Sequence, residues 1–215
     1  MTTDASNSMT RTQTHASARP SLMLRSAKVV CQTGQYACVI RDVSKLGTSI
    51  AFLHEVPPEP RILLSLGNGL IYPIERVWAG KRQAGYRFAN ELELTEFIHE
   101  SAPFEARPVR LEIKTTARLI DGRDHHHVKL LDISTHGAKF ESGSKHAEQR
   151  LIGFQVQGMA QQLGKVVWQS DEVFGLQFQQ PIALQELALA ALRLQPYDAP
   201  IKGGFSEALS NARAA

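Results

Sequence analysis

Short apolar runs of four to ten residues, cut by turn residues, occupy most of the chain. Between residues 27 and 88 they read AKVVCQ, YACVIRDV, TSIAFL, RILLSL, LIYPIERVWA and AGYRF, separated by TG, PPEP, GNG and AGKR. Val, Ile, Tyr and Phe in brief stretches bounded by Gly, Pro and Asn predict strands. Residues 117–178 answer with ARLI, HVKLLDI, AKFE, IGFQVQ, LGKVVWQ and FGLQF. Six short strands within about eighty residues predict a small antiparallel barrel, whose closure leaves no exposed strand edge.

A helical pattern follows each set of strands. After the first, NELELTEFIHESA offers Asn90 as an N-cap with Glu93 three residues on; after the second, PIALQELALAALRL starts at Pro181 and carries Leu184, Leu187, Ala188, Ala191 and Leu192 on one face. Both helices are expected to cover a barrel mouth. Leu189 lies off that face, which leaves open a second contact for the last helix.

Shifting the sequence by ninety residues superimposes the two sets without a gap. Ala27 falls on Ala117, Asp42 on Asp132, Ser44 on Ser134 and Gly47 on Gly137; Val77 and Trp78 fall on Val167 and Trp168, and Gly85 and Phe88 on Gly175 and Phe178. So many coincidences in one phase mark a tandem duplication. The expected fold class is therefore mainly β, two tandem six-stranded antiparallel barrels, each followed by an α-helix. The expected domains are an arm at 1–18, a first barrel with helix at 19–102, a second at 104–195 and a tail at 196–215, mobile because it is rich in Pro, Gly and small residues.

Bulk properties narrow the function classes. A net charge of +3 suits an anionic ligand but is far from a basic arm dedicated to nucleic acid, which makes nucleic acid an unfavoured partner. Two cysteines, Cys31 and Cys38, give no disulfide framework and read as ordinary strand thiols in a reducing compartment. The leading residues have no apolar core of a signal peptide, and no run is long enough for a bilayer, so a cytoplasmic protein without a membrane span is expected.

The repeated Asp-x-Ser-x-x-Gly carries the candidate chemistry. Strand side chains alternate, so Asp42 and Ser44, like Asp132 and Ser134, face the same way at the end of a strand. Gly47 and Gly137 are expected to adopt a backbone conformation closed to residues with a Cβ, reversing the chain tightly. The Asp and Ser could simply bond the backbone of their own turn. A carboxylate is also the natural acceptor for the ring N–H and exocyclic amine of guanine, if arginines stand nearby.

With arginines before each first strand, the Asp-x-Ser-x-x-Gly turn, a late Val-Trp and a Gly-x-x-Phe strand, residues 15 to 195 resemble two PilZ domains. The resemblance implies a bacterial six-stranded barrel that binds cyclic di-GMP through an Arg-x-x-x-Arg motif on its leading arm and Asp/Asn-x-Ser-x-x-Gly on the barrel. The implied ligand residues are Arg19, Arg25, Asp42, Ser44 and Gly47 in the first unit, and Arg107, Arg110, Asp132, Ser134 and Gly137 in the second. The arginine motif is incomplete in both: His15 stands at its first position before Arg19, with Arg11 and Arg25 as substitutes, and Ala106 stands there before Arg110, with Arg107 one residue late. The expected function is a cyclic di-GMP receptor that acts on a protein partner in motility, polysaccharide or regulatory machinery. The alternative is an adaptor that binds protein partners without nucleotide; a homodimer is left open, and direct nucleic-acid binding is a weaker third reading.

The remaining motifs point elsewhere. His125, His126 and His127 are adjacent and cannot converge on one metal ion, and are expected in a hairpin loop. Trp78 and Trp168 are expected in the barrel cores. No nucleophile, base and acid can be assembled and no phosphate loop occurs, so neither catalysis nor a cofactor is expected.

Overall fold

The computed structural model describes residues 21–99, 108–144, 146 and 150–198. The first barrel contains β1 (Ser21–Val30), β2 (Gln35–Val43), β3 (Gly47–Phe52), β4 (Arg61–Ser65), β5 (Ile71–Ala79) and β6 (Gln83–Phe88), followed by α1 (Leu94–His99). The second contains β7 (Thr115–Asp121), β8 (Asp124–Ile133), β9 (Gly137–Glu141), β10 (Leu151–Val156), β11 (Gln162–Ser170) and β12 (Val173–Phe178), followed by α2 (Leu184–Leu194). Each set closes into an antiparallel barrel, in the orders β1-β2-β3-β6-β5-β4 and β7-β8-β9-β12-β11-β10, as the alternation predicts. Val29 opposite Leu64 seals the first barrel, and Phe154 opposite Leu119 seals the second.

The duplication survives in the irregularities as well as in the strands. The ladder slips by one residue between Ile40 and Asp42 and again between Leu130 and Asp132, and likewise between Arg76 and Trp78 and between Val166 and Trp168. The second pair of bulges corrects the expectation for the tryptophans. An extra residue at Val77 or Val167 shifts the period-two alternation by one, turning the following side chain to the outer face. Trp78 is 48% exposed and Trp168 40%. Each indole lies over the glycine opposite: a Cβ on Gly85 would fall 2.1 Å from Trp78 Nε1, and one on Gly175 2.0 Å from Trp168 Nε1.

Each barrel interior is its own apolar core. Tyr36, Ile40, Ile50, Leu64 and Phe97 are among the buried residues of the first, and Leu119, Leu130, Phe140, Phe154 and Phe174 among those of the second. Phe140 and Phe174 stack with ring centroids 5.3 Å apart. Both helices begin later than Asn90 and Pro181 suggest. Leu92 N–H donates to Lys45 O at 2.9 Å and Ile182 N–H to Thr135 O at 2.7 Å, which ties the preceding residues to the motif turn and keeps them out of the helix.

α2 does more than close a mouth. Leu187, Ala188, Ala190 and Ala191 are buried with the second core, which also takes in Ala37 from β2, while Leu192 and Tyr197 pack against the first core. The side chain of Tyr197 belongs to the segment read as a mobile tail, yet its ring lies 4.7 Å from Tyr36 and its hydroxyl 3.1 Å from His54 Nδ1. Residues 1–18 and 199–215 lie outside the described residues. No helix among the described residues is long and apolar enough to cross a membrane.

Cys31 and Cys38 are free and buried inside the first barrel. Burial pushes both thiols above their ordinary value, and for Cys31 the nearby Glu59 adds to it. A thiolate is the reactive form, so neither should react with a thiol reagent in native protein at pH 8, while both should be titrated at once in denaturant. Rapid native labelling of either one would contradict this packing.

Candidate functional site

The second barrel brings a carboxylate and two cations together at its rim. The bulge before Asp132 places it opposite Lys139 on β9, and Lys139 Nζ lies 3.0 Å from Asp132 Oδ2. From the segment leading into the barrel, Arg110 Nη1 donates to Asp132 Oδ1 at 3.1 Å. The Asp132 side chain is 8% exposed, while those of Arg110 and Lys139 are 50% and 38% exposed. The acceptor is thus recessed and the donors face outward. A buried carboxylate is tolerated because both oxygens are paired, and the two partly exposed cations leave a local excess of one positive charge facing outward.

Ser134 and Gly137 shape that rim from the backbone side. Ser134 Oγ donates to Gly137 O at 3.3 Å and accepts from His136 N–H at 3.2 Å, and Ser134 N–H donates to Gly137 O at 2.8 Å. The serine therefore bonds its own turn, whereas the aspartate does not. The glycine's role differs from the one expected: neither Gly47 nor Gly137 has a positive φ. Instead, a Cβ on Gly137 would sit 2.2 Å from Leu176 O, and one on Gly47 2.5 Å from Tyr86 O. The requirement is a close approach by the neighbouring strand.

The first barrel repeats the turn, but among the described residues without the paired cations. Ser44 Oγ donates to Gly47 O at 3.1 Å and accepts from Gly47 N–H at 3.2 Å. Asp42, however, accepts a hydrogen bond from Ser49 Oγ, the residue at the Lys139 position, and among the described residues no cation pairs with it. The same offset carries Arg110 onto Pro20, one residue beyond Arg19. Arg25 points elsewhere: its guanidinium donates to Phe97 O at 3.3 Å and Ile98 O at 3.2 Å, at the end of α1. Arg11, His15, Arg19 and Arg107 lie outside the described residues.

The segment carrying Arg110 is fastened on both sides. Leu111 pairs with Ile133 through reciprocal backbone bonds of 2.8 and 2.9 Å. On the other side, Lys28 Nζ from β1 donates to Arg110 O at 3.0 Å and to Gln35 Oε1 at 2.8 Å, and that same Oε1 accepts from Glu112 N–H at 3.0 Å. Gln195, just past α2, accepts from Gln35 N–H at 2.9 Å and donates to Glu112 O at 3.3 Å; Tyr36 OH donates to Gln195 O at 2.5 Å. Burial lowers the pKa of Lys28, opposed by the negative charges of Glu112 and Asp132.

The histidine run lies in β8 and not in a loop, with His125, His126 and His127 opposite Ile120, Leu119 and Arg118. The short turn at Gly122, whose φ is +62°, lets the strand begin at Asp124. His126 meets the ring of His146 at 5.9 Å. Among the described residues no three His, Cys, Asp or Glu side chains are grouped to hold a metal ion.

Residues 105–194 match the family profile described as the PilZ domain. The second barrel, with its rim constellation, is accordingly the part of the chain that matches the PilZ domain, and the first barrel repeats its topology. Among solved structures, PlzA from Borreliella burgdorferi in complex with c-di-GMP is similar at 12% identity and a TM-score of 0.34, over 80% of this chain and 88% of that one. The Bacillus subtilis inhibitor of motility MotI/DgrA is similar at 11% identity and 0.35, over 82% and 98%. YcgR from Escherichia coli in complex with c-di-GMP is similar at 8% identity and 0.28, over 88% and 87%. No curated protein matches the chain.

Sequence reading missed Lys139, Lys28, Gln35 and Gln195. Lys139 could have been found by pairing β8 with β9 and allowing for one bulge. The other three come from strands and a helix end distant in sequence, and no local pattern joins them to Arg110.

Proposed function

We infer that the chain is a cytoplasmic cyclic di-GMP receptor whose ligand site is the rim of the second barrel, and that the bound state is read by a protein partner in motility, polysaccharide or regulatory machinery. The observation that carries this reading is the recessed Asp132 held between Arg110 and Lys139 in the unit that matches the PilZ domain. Asp132 would accept the paired donors of a guanine edge. The half-exposed Arg110 would turn to the O6/N7 edge or a phosphate, and Lys139 would supply a point charge to phosphate. Ser134 and Gly137 hold the turn that presents the carboxylate. Asp42 engages Ser49, which favours an adaptor role for the first barrel.

Titration calorimetry of the full chain with cyclic di-GMP tests the reading. Saturable heat is expected for the unaltered protein and for Asp42→Ala, while Asp132→Ala should bind about 10- to 100-fold more weakly, the equivalent of one bidentate contact. Equal affinity in all three would remove the site from Asp132. An unaltered chain that gives no heat would leave the nucleotide-free adaptor as the function.

A further inference from the structure

We propose that the first barrel is a built-in positioning element for the second-barrel site, with Lys28 as its principal residue, a proposal that rests on the ligand site inferred above. Lys28 sits on β1 of one barrel, 82 residues from the main-chain carbonyl it binds at Arg110. Gln35 from the same barrel binds the next amide but one, at Glu112, and also receives Lys28, so the two side chains grip the arm at alternate residues. The opposite side of the arm is bonded to Ile133, next to Asp132. Arg110 is thus held between two barrels at the point where its guanidinium meets the carboxylate.

The chemistry favours a cation at Lys28 over a neutral donor. Hydrogen bonds from an ionised donor are about twice as strong as neutral ones. The ammonium also faces the negative charges of Glu112 and Asp132. Preorganisation of this kind improves binding by removing the cost of ordering the arm when the ligand arrives. The first barrel, with its own carboxylate turned to Ser49, thereby contributes to the site of its neighbour.

The test uses the full chain and two readouts. In cyclic di-GMP titrations, Lys28→Met should weaken binding about tenfold, as loss of a charged hydrogen bond allows. Lys28→Arg should restore affinity to within about threefold of the unaltered protein, because a cation is returned to the same place. Adding Lys28→Met to Arg110→Ala should cause no further loss, since Lys28 acts through Arg110. Amide exchange by NMR, without ligand, should show Leu111 and Glu112 exchanging faster in Lys28→Met than in the unaltered chain. Unchanged exchange at those amides overturns the proposal, as do unchanged affinity in Lys28→Met or losses that multiply in the double variant. If the unaltered chain binds no cyclic di-GMP, the ligand reading falls, and the exchange rates alone decide whether Lys28 fixes the arm.

Discussion

Alanine at Gly137 is expected to destabilise the second barrel by about 2 to 3 kcal/mol, a fall in melting temperature of roughly 5 to 10 °C for a chain of this size. The added Cβ would meet Leu176 O at 2.2 Å, and that oxygen is main chain in a closed barrel and cannot move aside as a side-chain tip could. Relief requires β9 and β12 to separate at Gly137 opposite Gln177, next to the turn that presents Asp132. Gly47→Ala should do the same to the first barrel, more mildly, because Tyr86 O would lie at 2.5 Å. Gly143→Ala is the control: open space surrounds that position and its φ is not in the left-handed region, so its melting temperature should stay that of the unaltered protein. Thermal unfolding followed by circular dichroism measures all three, and a Gly137→Ala protein that melts with the control would refute the close-approach account.

Raising the pH above about 9 should remove stability steeply. Cys31, Cys38, Tyr36, Tyr86 and Tyr197 all have folded-state values above the ordinary ones, 9.0 for the thiols and 10.0 for the phenols; burial is the main cause in each case, and Tyr36 is pushed up to about 12. Between the two values the unfolded chain has released a proton that the folded chain still holds. The stabilisation is complete below the unfolded value and declines as pH climbs towards the folded one. Lys28, lowered by burial, works in the opposite direction, but it is one group against five. On the acid side His54 and His146 are lowered by burial from 6.5, so the unfolded state takes up protons first and stability falls as pH drops below that value. Urea midpoints from pH 5 to 11 should therefore peak between about 6.5 and 9. A midpoint that stays level from pH 8 to 11 would be incompatible with these side chains being buried.

The strands, their number and the ninety-residue phase were legible because half-buried strands enforce alternation and because both copies kept the same residues at the same constrained places. The bulges were not legible: an inserted position at Val77 or Val167 looks like one more strand residue, yet it carries Trp78 and Trp168 from inside to outside. Helix starts were misplaced because Asn90 and Pro181 are sound local signals overruled by long-range bonds from Leu92 and Ile182 to the motif turn. Asp132 and Arg110 were legible as a pair through the family resemblance. Arg25 was assigned to the same chemistry but reaches the end of α1, since its place two residues outside the expected strand concealed a longer β1. Lys28 carries no sequence mark at all, because its role depends on how one barrel leans on the other.

The position of α2 bears on the history of the molecule. A freshly duplicated gene yields two equal and separable copies, each able to drift or be lost alone. Here Leu192 and Tyr197 have become lining for the earlier copy, while Ala37 of that copy lines the later one. Neither half can now be discarded without stripping the other of part of its interior, and this mutual dependence would retain a barrel whose own rim carboxylate, Asp42, is turned to Ser49.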